Sequence, residues 1–445
     1  QAVEENEGPV LVFAGAGSGK TKVLTQKIHR LIEVENFKPE NILSVTFTNK
    51  AAKEMKTRVM SLLKTKKLEI SIGTFHSICA RLIRNEAKNI GLNPQFAIYD
   101  VQDQLDLYKV VLKALNTSKD LIKPNQARSQ ISLLKNKMIT PEKQLKKART
   151  IFDKKLVDIY KLYQKMLREN DALDFDDLLL FPLQIFDDHP KILKKYQNLW
   201  KYILVDEYQD TNKPQFCFLS KIAENHKNIC VVGDDDQSIY GWRGADIANI
   251  LDFEKIFPNC KTFTLEKNYR STQQILDAAT AVVSHNKKRA EKNLIANNGD
   301  GDPLVLIETK DELEEADAII SALEKEIKLH KRNFSHFSIL YRTNAQSRSL
   351  EESLRRTGIP YNLVGSVRFY DRKEVKDALG YLKLVINLLD TISLRRIINF
   401  PPRGIGMKTM DKCVVKSEED NISLFEVLNN SKQLAIRGKQ SDSLV

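Results

Sequence analysis

The stretch VLVFAGAGSGKT, residues 10–21, decides the fold of this chain. An apolar run ends in a loop with glycines at positions 15, 17 and 19, and Lys20 and Thr21 follow directly. Glycines let the backbone turn its N–H groups inward around phosphate oxygens, and the N-terminus of the next helix adds a favourable dipole. The sequence therefore predicts a strand, a phosphate-binding loop and a helix, in that order.

Each residue type in this loop has a chemical task. Lys20 is expected to reach the β and γ phosphates of a nucleoside triphosphate, and the Thr21 hydroxyl to ligate Mg²⁺. A bare glycine loop can be only a turn, but the strand–loop–helix context with GKT favours a nucleotide site. The predicted cofactor-binding residues of the loop are Ala14, Gly15, Ala16, Gly17, Ser18, Gly19, Lys20, Thr21 and Lys22.

Size and composition narrow the class of protein. The 445 residues leave room for two to four domains, and 42% hydrophobic residues suffice for packed cores. No stretch approaches the roughly 20 apolar residues that span a bilayer, and no signal-peptide pattern opens the chain. The 5 cysteines stand singly, which argues against a disulfide framework or a zinc site. We expect a cytoplasmic protein with no membrane partner.

The charge is positive and unevenly distributed. The formal net charge is +12, and residues 119–169 hold 14 Lys or Arg against 5 Asp or Glu. Most such runs are solvated helix faces. A basic helical insert is also a means of contacting phosphates without reading a nucleic-acid sequence. Charge alone leaves both interpretations open.

The order of apolar segments predicts the fold class. Strand-like runs alternate with helix-length segments, which indicates a parallel α/β sheet. These runs lie at residues 10–13, 42–47, 69–74, 202–206 and 229–233. Residues 86–169 lack strand signals and predict an all-α insert. A second α/β set is expected from the runs 261–265, 303–308 and 337–342. The predicted domains are 1–85 with 170–258, the insert, 259–366, and a helical region at 367–445.

The segment YILVDEYQD, residues 202–210, supplies the second half of a nucleotide site. An acidic pair at the carboxyl end of an apolar strand places Asp206 to hold Mg²⁺. The same geometry places Glu207 to orient and deprotonate the attacking water. Acidic pairs are common on protein surfaces, but this one follows an apolar strand and accompanies the Lys20 loop. Together the two segments predict nucleotide hydrolysis.

With these motifs the chain resembles the UvrD/PcrA/Rep helicases of superfamily 1. The matching segments, in family order, are TFTNKAAKEM (46–55), GTFHS (73–77), DFDDLL (174–179), VDEYQDT (205–211), VGDDDQSIYGWRGA (232–245), LEKNYRS (265–271), LYRTNAQSR (340–348) and FPPRGIG (400–406). The general phosphate-loop pattern begins with Gly, whereas this family has Ala at the position of Ala14. The resemblance implies RecA-like P-loop NTPase domains with helical insertions, and ATP and Mg²⁺ as cofactors. It also implies 3′-to-5′ translocation on single-stranded DNA, with unwinding at single-strand/duplex junctions, in DNA repair or replication.

The resemblance also implies residue roles. Gln237 would sense the γ-phosphate, and it lies close in sequence to Tyr240 and Trp242, so one loop would link nucleotide state to base contact. Aromatic rings stack on any base. The residues expected to contact nucleic acid are Phe47, His76, Tyr240, Trp242, Arg243, Asn344, Gly404 and Gly406. Phe75 is expected in the core instead.

The segment NYR, residues 268–270, carries two further roles by resemblance. Tyr269 would stack on adenine. Arg270 would be an arginine finger that reaches the γ-phosphate from across a domain cleft and stabilises transition-state charge. ATP would then favour the closed cleft and hydrolysis would release it.

The sequence departs from the family pattern in places. Lys22 stands where the family usually has an Arg that stacks on adenine, and Lys does this poorly. The motifs of the types TVHxAKGLE and RRLxYVAxTRA are not found after residue 406, so we expect an N-terminal portion that lacks them. The alternatives are a helicase subunit of a RecB/AddA-type helicase–nuclease and a non-catalytic DNA- or partner-binding clamp.

Overall fold

The computed structural model describes residues 1–118, 120–364, 373–403, 405–420 and 422–430. The chain divides into two compact units, of which the first comprises Gln1–Gly301 with Gly380–Val445 and the second Asp302–Leu379.

A parallel six-stranded sheet forms the centre of the first unit, with the strand order β3-β2-β6-β7-β1-β8. Successive residues along each strand point to opposite faces of the sheet, and both faces carry a hydrophobic core. Its strands are β1 (Pro9–Ala14), β2 (Ile42–Thr46), β3 (Ser71–Thr74), β6 (Tyr202–Val205), β7 (Ile229–Gly233) and β8 (Lys261–Leu265). The predicted parallel α/β class is confirmed.

One predicted grouping was wrong. The run at 261–265 was assigned to a second α/β set, but β8 pairs with β1, with Val10 opposite Lys261 and Phe13 opposite Thr264. Without β8, the edge of β1 would leave a row of N–H and C=O groups unpaired, so the sheet gains by taking in this strand.

Helices cover the sheet, and polar residues fix where several of them begin. Thr48 caps the second helix by accepting a hydrogen bond from the backbone of Ala51, and Thr74 caps the third in the same way from Ser77. These sheet-covering helices are α1 (Lys20–Glu33), α2 (Asn49–Leu62), α3 (Phe75–Glu86), α8 (Phe175–Asp188), α9 (Pro190–Leu199), α10 (Lys213–Ala223), α11 (Ala248–Leu251) and α12 (Phe253–Ile256). A further helix, α13 (Gln273–Val283), follows the NYR segment. Two further short strands, β9 (Lys267–Asn268) and β10 (Ile295–Ala296), pair in parallel.

The insert is helical, as predicted, except for one short strand at its base. It comprises β4 (Ala97–Tyr99), α4 (Val101–Ala114), α5 (Pro124–Asn136), α6 (Pro141–Leu145) and α7 (Ile151–Glu169), and β4 pairs with β5 (Ala172–Asp174). Fully buried Lys135 bonds Asp174 at 2.6 Å and Asp177 at 2.8 Å. These ion pairs fasten the insert to the DFDDLL segment at the start of α8.

The helices near the carboxyl terminus pack on the insert. The hydroxyl of Tyr99 donates to Asp390 at 2.8 Å, and the backbone N–H of Thr391 donates to the side chain of Asn170 at 3.0 Å. The helices are α16 (Lys373–Ile386), α17 (Thr391–Ile397), α18 (Met407–Asp420) and α19 (Leu424–Asn429). The helical character expected after residue 366 is therefore found in the described residues of this region.

The second unit is built on α14 (Glu312–His330) and α15 (Ser347–Arg356), which share a small core. Asp317 joins them by accepting a hydrogen bond from the hydroxyl of Ser353 at 2.6 Å. Residues 303–308 and 337–342 were predicted as strands, but they form no regular strand. Strand-forming residues need a neighbouring strand to complete their hydrogen bonds, and the described residues provide none for them.

No helix among the described residues is both long and apolar enough to cross a membrane.

Candidate nucleotide and nucleic-acid site

The parallel sheet gathers the functional segments at one edge. All six strands run in the same direction, so the loops that follow their carboxyl ends emerge together. Those loops begin after Ala14 in β1, Thr46 in β2, Val205 in β6, Gly233 in β7 and Leu265 in β8. The phosphate loop, the acidic pair, the Gln237 loop and the NYR segment therefore share this edge, although they lie far apart in sequence.

The phosphate loop has the backbone that its glycines predict. Gly17 and Gly19 have φ angles of 74° and 99°, in the left-handed region that side chains disfavour. Gly19 is the last residue before α1, and the Ser18 hydroxyl donates to the carbonyl of Gly15 at 2.8 Å. The N–H groups at the start of α1 are therefore presented to an anion by a closed turn.

Lys20 and Glu207 meet at the centre of the site. The Lys20 Nζ lies 2.9 Å from Glu207 Oε2, although 186 residues separate them in the chain. Glu207 has φ 49° and ψ 46°, a left-handed conformation that costs a non-glycine residue about 1 kcal/mol or more. The turn projects this carboxylate from the end of β6 towards the phosphate loop. The geometry matches the predicted pairing of the two segments.

Asp206 provides a buried carboxylate beside that pair. Burial and the neighbouring Glu207 charge raise the pKa of Asp206 to about 6. Its Oδ1 accepts a hydrogen bond from the backbone N–H of Glu207 at 3.0 Å. A divalent cation would offset the cost of this charge, and the hydroxyl and carboxylate oxygens of Thr21 and Asp206 are the hard ligands that Mg²⁺ prefers. These residues therefore fit the predicted ion.

A chain of hydrogen bonds connects Glu207 to the loop after β7. Gln209 is 1% exposed, and its Nε2 donates to Glu207 Oε2 at 3.0 Å. Its Oε1 accepts from the backbone N–H of Asp234 at 3.0 Å. Asp234 in turn accepts a hydrogen bond from the side chain of Gln237. Lys20, Glu207, Gln209, Asp234 and Gln237 thus form one continuous polar network.

The NYR segment lies against the phosphate loop. Asn268 is 1% exposed, its side-chain amide donates to the carbonyl of Ala16, and its Oδ1 accepts from the N–H groups of Arg270 and Ser271 at 2.8 Å each. The N–H of Tyr269 donates to the carbonyl of Gly17 at 3.0 Å. These bonds fasten the segment directly to the nucleotide-binding backbone.

Arg270 therefore begins next to the loop that it is expected to serve. A Cβ added at Gly17 would lie 2.5 Å from the Cβ of Arg270, so only glycine allows this approach. The side chains of Arg270 and Tyr269 are exposed. Arg270 belongs to the same compact unit as Lys20, whereas the sequence led us to expect it on a separate domain.

The loop that follows Gln237 carries an aromatic cluster. The rings of Phe47 and Tyr240 stack with centroids 4.9 Å apart, and Tyr240 lies 6.4 Å from Trp242. Trp242 is 70% exposed. The Arg243 guanidinium lies over both Tyr240 and Trp242, at 5.0 and 4.6 Å from the ring centroids. Four of the predicted nucleic-acid residues therefore form one cationic and aromatic cluster, in which Trp242 and Arg243 are exposed and Phe47 and Tyr240 are half-buried.

The other predicted nucleic-acid residues are placed differently. His76 meets Phe175 edge to face at 5.7 Å, and burial lowers its pKa to about 4, so its ring is neutral. Asn344 is exposed in the second unit. Gly406 is exposed, and its carbonyl accepts hydrogen bonds from the first turn of α18. Gly404 lies outside the described residues. Phe75 is buried, as predicted.

Two buried amide side chains of the site have no role in the sequence-based predictions. Gln209 and Asn268 lie inside the motifs VDEYQDT and LEKNYRS, but their side chains act on loops that are distant in the chain. A buried amide inside a motif was the only signal, and it does not reveal its partner.

Two family models match adjacent parts of the chain. The UvrD/REP helicase N-terminal domain matches residues 1–258, and the UvrD-like helicase C-terminal domain matches residues 263–437. The expectation that the chain lacks the last family motifs is not borne out, since the second match extends well beyond residue 406.

Two groups of relatives are similar over nearly the whole chain. An ATP-dependent DNA helicase PcrA of Staphylococcus epidermidis is 48% identical over 431 residues, which are 96% of this chain and 59% of that protein. Proteins of the same name from Staphylococcus aureus are 45% identical over 442 residues, which are 99% of this chain and 60% of theirs. The chain thus spans about 60% of the length of these relatives.

Proposed function

Because the chain belongs to the UvrD/REP helicase family, we propose that it forms the nucleotide- and DNA-binding part of an ATP-dependent DNA helicase. The protein would hydrolyse ATP to move 3′ to 5′ along single-stranded DNA and to unwind duplex at a single-strand junction. The names of its relatives, ATP-dependent DNA helicase PcrA, support this function. Its cellular setting would be cytoplasmic DNA repair or replication, with protein partners from those processes.

The observation that carries the proposal is the polar network from Lys20 to Gln237. It begins at the phosphate loop with the 2.9 Å contact of Lys20 and Glu207, and it ends three residues before Tyr240. A change in nucleotide state at one end of the network would therefore alter the position of the aromatic cluster at the other end. This is the coupling that a motor on DNA requires.

Hydrolysis would use the following assignment of roles. Lys20 and the loop Ala14–Lys22 would hold the triphosphate, while Thr21 and Asp206 would hold Mg²⁺, which neutralises phosphate charge. Glu207 would leave Lys20 when the phosphates arrive and orient the attacking water. Gln237 would contact the γ-phosphate, Arg270 would stabilise transition-state charge, and Tyr269 would stack on adenine.

DNA binding would use the exposed cluster. Phe47, Tyr240 and Trp242 offer stacking faces that accept any base, and Arg243 adds a positive charge for the backbone. Other predicted contacts are His76, Asn344, Gly404 and Gly406. The basic insert would add phosphate contacts and make the affinity sensitive to salt.

The variant Lys20→Ala tests the nucleotide site. We expect it to abolish ATP hydrolysis, because the charge that meets the β and γ phosphates is lost, while binding of single-stranded DNA remains measurable. Lys38→Ala is the matched control, since Lys38 is an exposed lysine away from the loop. Normal ATP turnover in Lys20→Ala would refute the assignment.

A further inference from the structure

A short segment downstream of the NYR motif, Arg289–Ala296, crosses the nucleotide site, and we refer to it as the strap. It contacts three of the functional loops and belongs to the same compact unit as all of them. The function proposed above gives the strap no role.

The strap meets the Gln237 loop through charge. Lys292 Nζ lies 2.6 Å from Asp234 Oδ1 and 3.1 Å from Asp236 Oδ2, and it also bonds Asp235. Arg289 forms a two-pronged pair with Asp236 at 3.1 and 3.0 Å. The N–H of Ala290 donates to Asp235 at 2.7 Å. The strap thus forms ion pairs or hydrogen bonds with all three carboxylates of Asp234–Asp236.

The Lys292 ammonium is a cation that lies among these three carboxylates. One oxygen from each of the three carboxylates lies within 4.8 Å of the others, a spacing that would also suit a metal ion. The Lys292 side chain is 2% exposed. Burial lowers the pKa of Lys292, but its hydrogen bonds and ion pairs with Asp234 and Asp235 outweigh that effect, and the pKa is raised. Without this charge the three carboxylates would repel one another at close range.

The same strap touches the phosphate loop and the NYR segment. A Cβ added at Gly15 would lie 2.6 Å from the Leu294 side chain, so Leu294 covers the loop closely. Ile295 and Ala296 pair with Lys267 and Asn268 as two parallel strands. The strap is therefore in contact with all three loops.

We propose that Lys292 is a positioning residue that holds Gln237 in place through Asp234. Asp234 accepts from Lys292 with Oδ1 and from Gln237 with Oδ2, so one carboxylate joins the two side chains. The inference rests on the proposed ATP hydrolysis, in which Gln237 contacts the γ-phosphate. Lys292 itself would touch neither phosphate nor metal.

Kinetics of the full chain test this role. Lys292→Met keeps the volume of the side chain and removes its charge. We expect it to lower kcat for DNA-stimulated ATP hydrolysis about 10- to 100-fold, with KM for ATP changed less than about threefold, because the phosphate loop is intact. Lys292→Arg, which keeps the charge, should recover most of the rate. Lys288→Met, an exposed lysine one residue before the strap, should match the wild type.

A double-mutant cycle separates positioning from general stability. In a Gln237→Ala background, Lys292→Met should lower kcat less than about twofold further, since its effect acts through Gln237. Independent, multiplying losses would overturn the inference, as would a normal kcat in Lys292→Met. If that variant fails to fold, Asp235→Asn/Lys292→Met removes one negative charge together with the positive one, and the same losses are expected. A wild type without ATP hydrolysis would instead refute the proposed function, and this inference with it.

Discussion

At the scale of single residues, Asn268 decides where Arg270 stands. Its amide donates to the carbonyl of Ala16 in the phosphate loop, while its Oδ1 accepts the N–H of Arg270 at 2.8 Å. One buried side chain therefore fixes the start of the Arg270 side chain relative to the phosphate loop. A guanidinium on a long side chain is useful in a transition state only if its backbone is held in this way.

We predict that Asn268→Ala lowers kcat for ATP hydrolysis about 10- to 100-fold and leaves nucleotide affinity within about threefold. The phosphate loop still binds, but Arg270 is no longer held, and a misplacement of about 1 Å can cost two orders of magnitude. Steady-state kinetics and nucleotide titration measure the two quantities. Asn286→Ala, an exposed asparagine, is the control. Equal losses in affinity and kcat would show that Asn268 only supports the loop.

The residue scale also shows what sequence patterns can predict. The positions of Lys20, Asp206 and Glu207 follow from short motifs, because a strand, a turn and a helix fix them locally. Gln209, Asn268 and Lys292 are different, since each acts on a loop that lies between 25 and 252 residues away in sequence. Only the assembled sheet brings those partners together.

At the scale of elements, the loop after β7 would combine nucleotide sensing with base contact under the proposed function. Gln237 bonds Asp234 at its start, and Trp242 is exposed near its end. The Phe47–Tyr240 stack anchors the loop to the carboxyl end of β2. The motif predicts this loop from the sequence alone. The contact of Phe47 with the loop could not be predicted in this way, because it depends on how the folded sheet brings the end of β2 close to the loop.

We predict that Trp242→Ala weakens binding of single-stranded DNA by about 1–3 kcal/mol, because one stacking face is lost. The loss should be similar for different base sequences, since every base can stack. Fluorescence anisotropy with labelled oligonucleotides measures it. Phe334→Ala, an exposed phenylalanine of the second unit, is the control. Unchanged affinity in Trp242→Ala would exclude the cluster as a DNA track.

The junction between the insert and α8 contains a titratable group whose shifted pKa could not be predicted from the sequence. Burial and the charge of Asp174 raise the pKa of Asp177 to about 7, against the partial compensation of Lys135. An unfolded aspartate has a pKa of about 4, so the folded protein holds this proton more tightly. Ionisation of Asp177 therefore destabilises the folded protein. This loss of stability is absent below about pH 4, grows as the pH rises towards 7, and is complete above pH 7.

We therefore predict that the free energy of unfolding of Asp177→Asn, relative to wild type, increases by about 1–3 kcal/mol between pH 5 and pH 8. Denaturant unfolding at the two pH values measures it. Asp158→Asn, an exposed aspartate of α7, should show no such pH-dependent gain. A gain for Asp177→Asn that grows towards low pH would reverse the sign and contradict the account.

At the scale of the whole molecule, the sequence predicted the parallel sheet and the helical insert but not the membership of every strand. β8 joins the first sheet because β1 offers it an open edge, and no local pattern distinguishes that edge from another. The runs 303–308 and 337–342 have strand composition, yet their structure depends on partners that local sequence does not specify. Composition predicts the type of an element more readily than its neighbours.

We propose that one edge of the sheet both hydrolyses ATP and holds DNA. The polar network that starts at Lys20 ends at Gln237, close in sequence to Tyr240 of the aromatic cluster, so the two tasks would be adjacent. A binding clamp would need only the cluster, and a nucleotide switch only the phosphate loop. A motor needs both of them and the connection between them.

The most direct test is the rate of ATP hydrolysis by the full chain, measured as single-stranded DNA is added. The account predicts that the rate rises at least about tenfold and saturates with DNA, and that Trp242→Ala shifts the half-maximal DNA concentration upward. ATP hydrolysis that does not respond to saturating single-stranded DNA would contradict it.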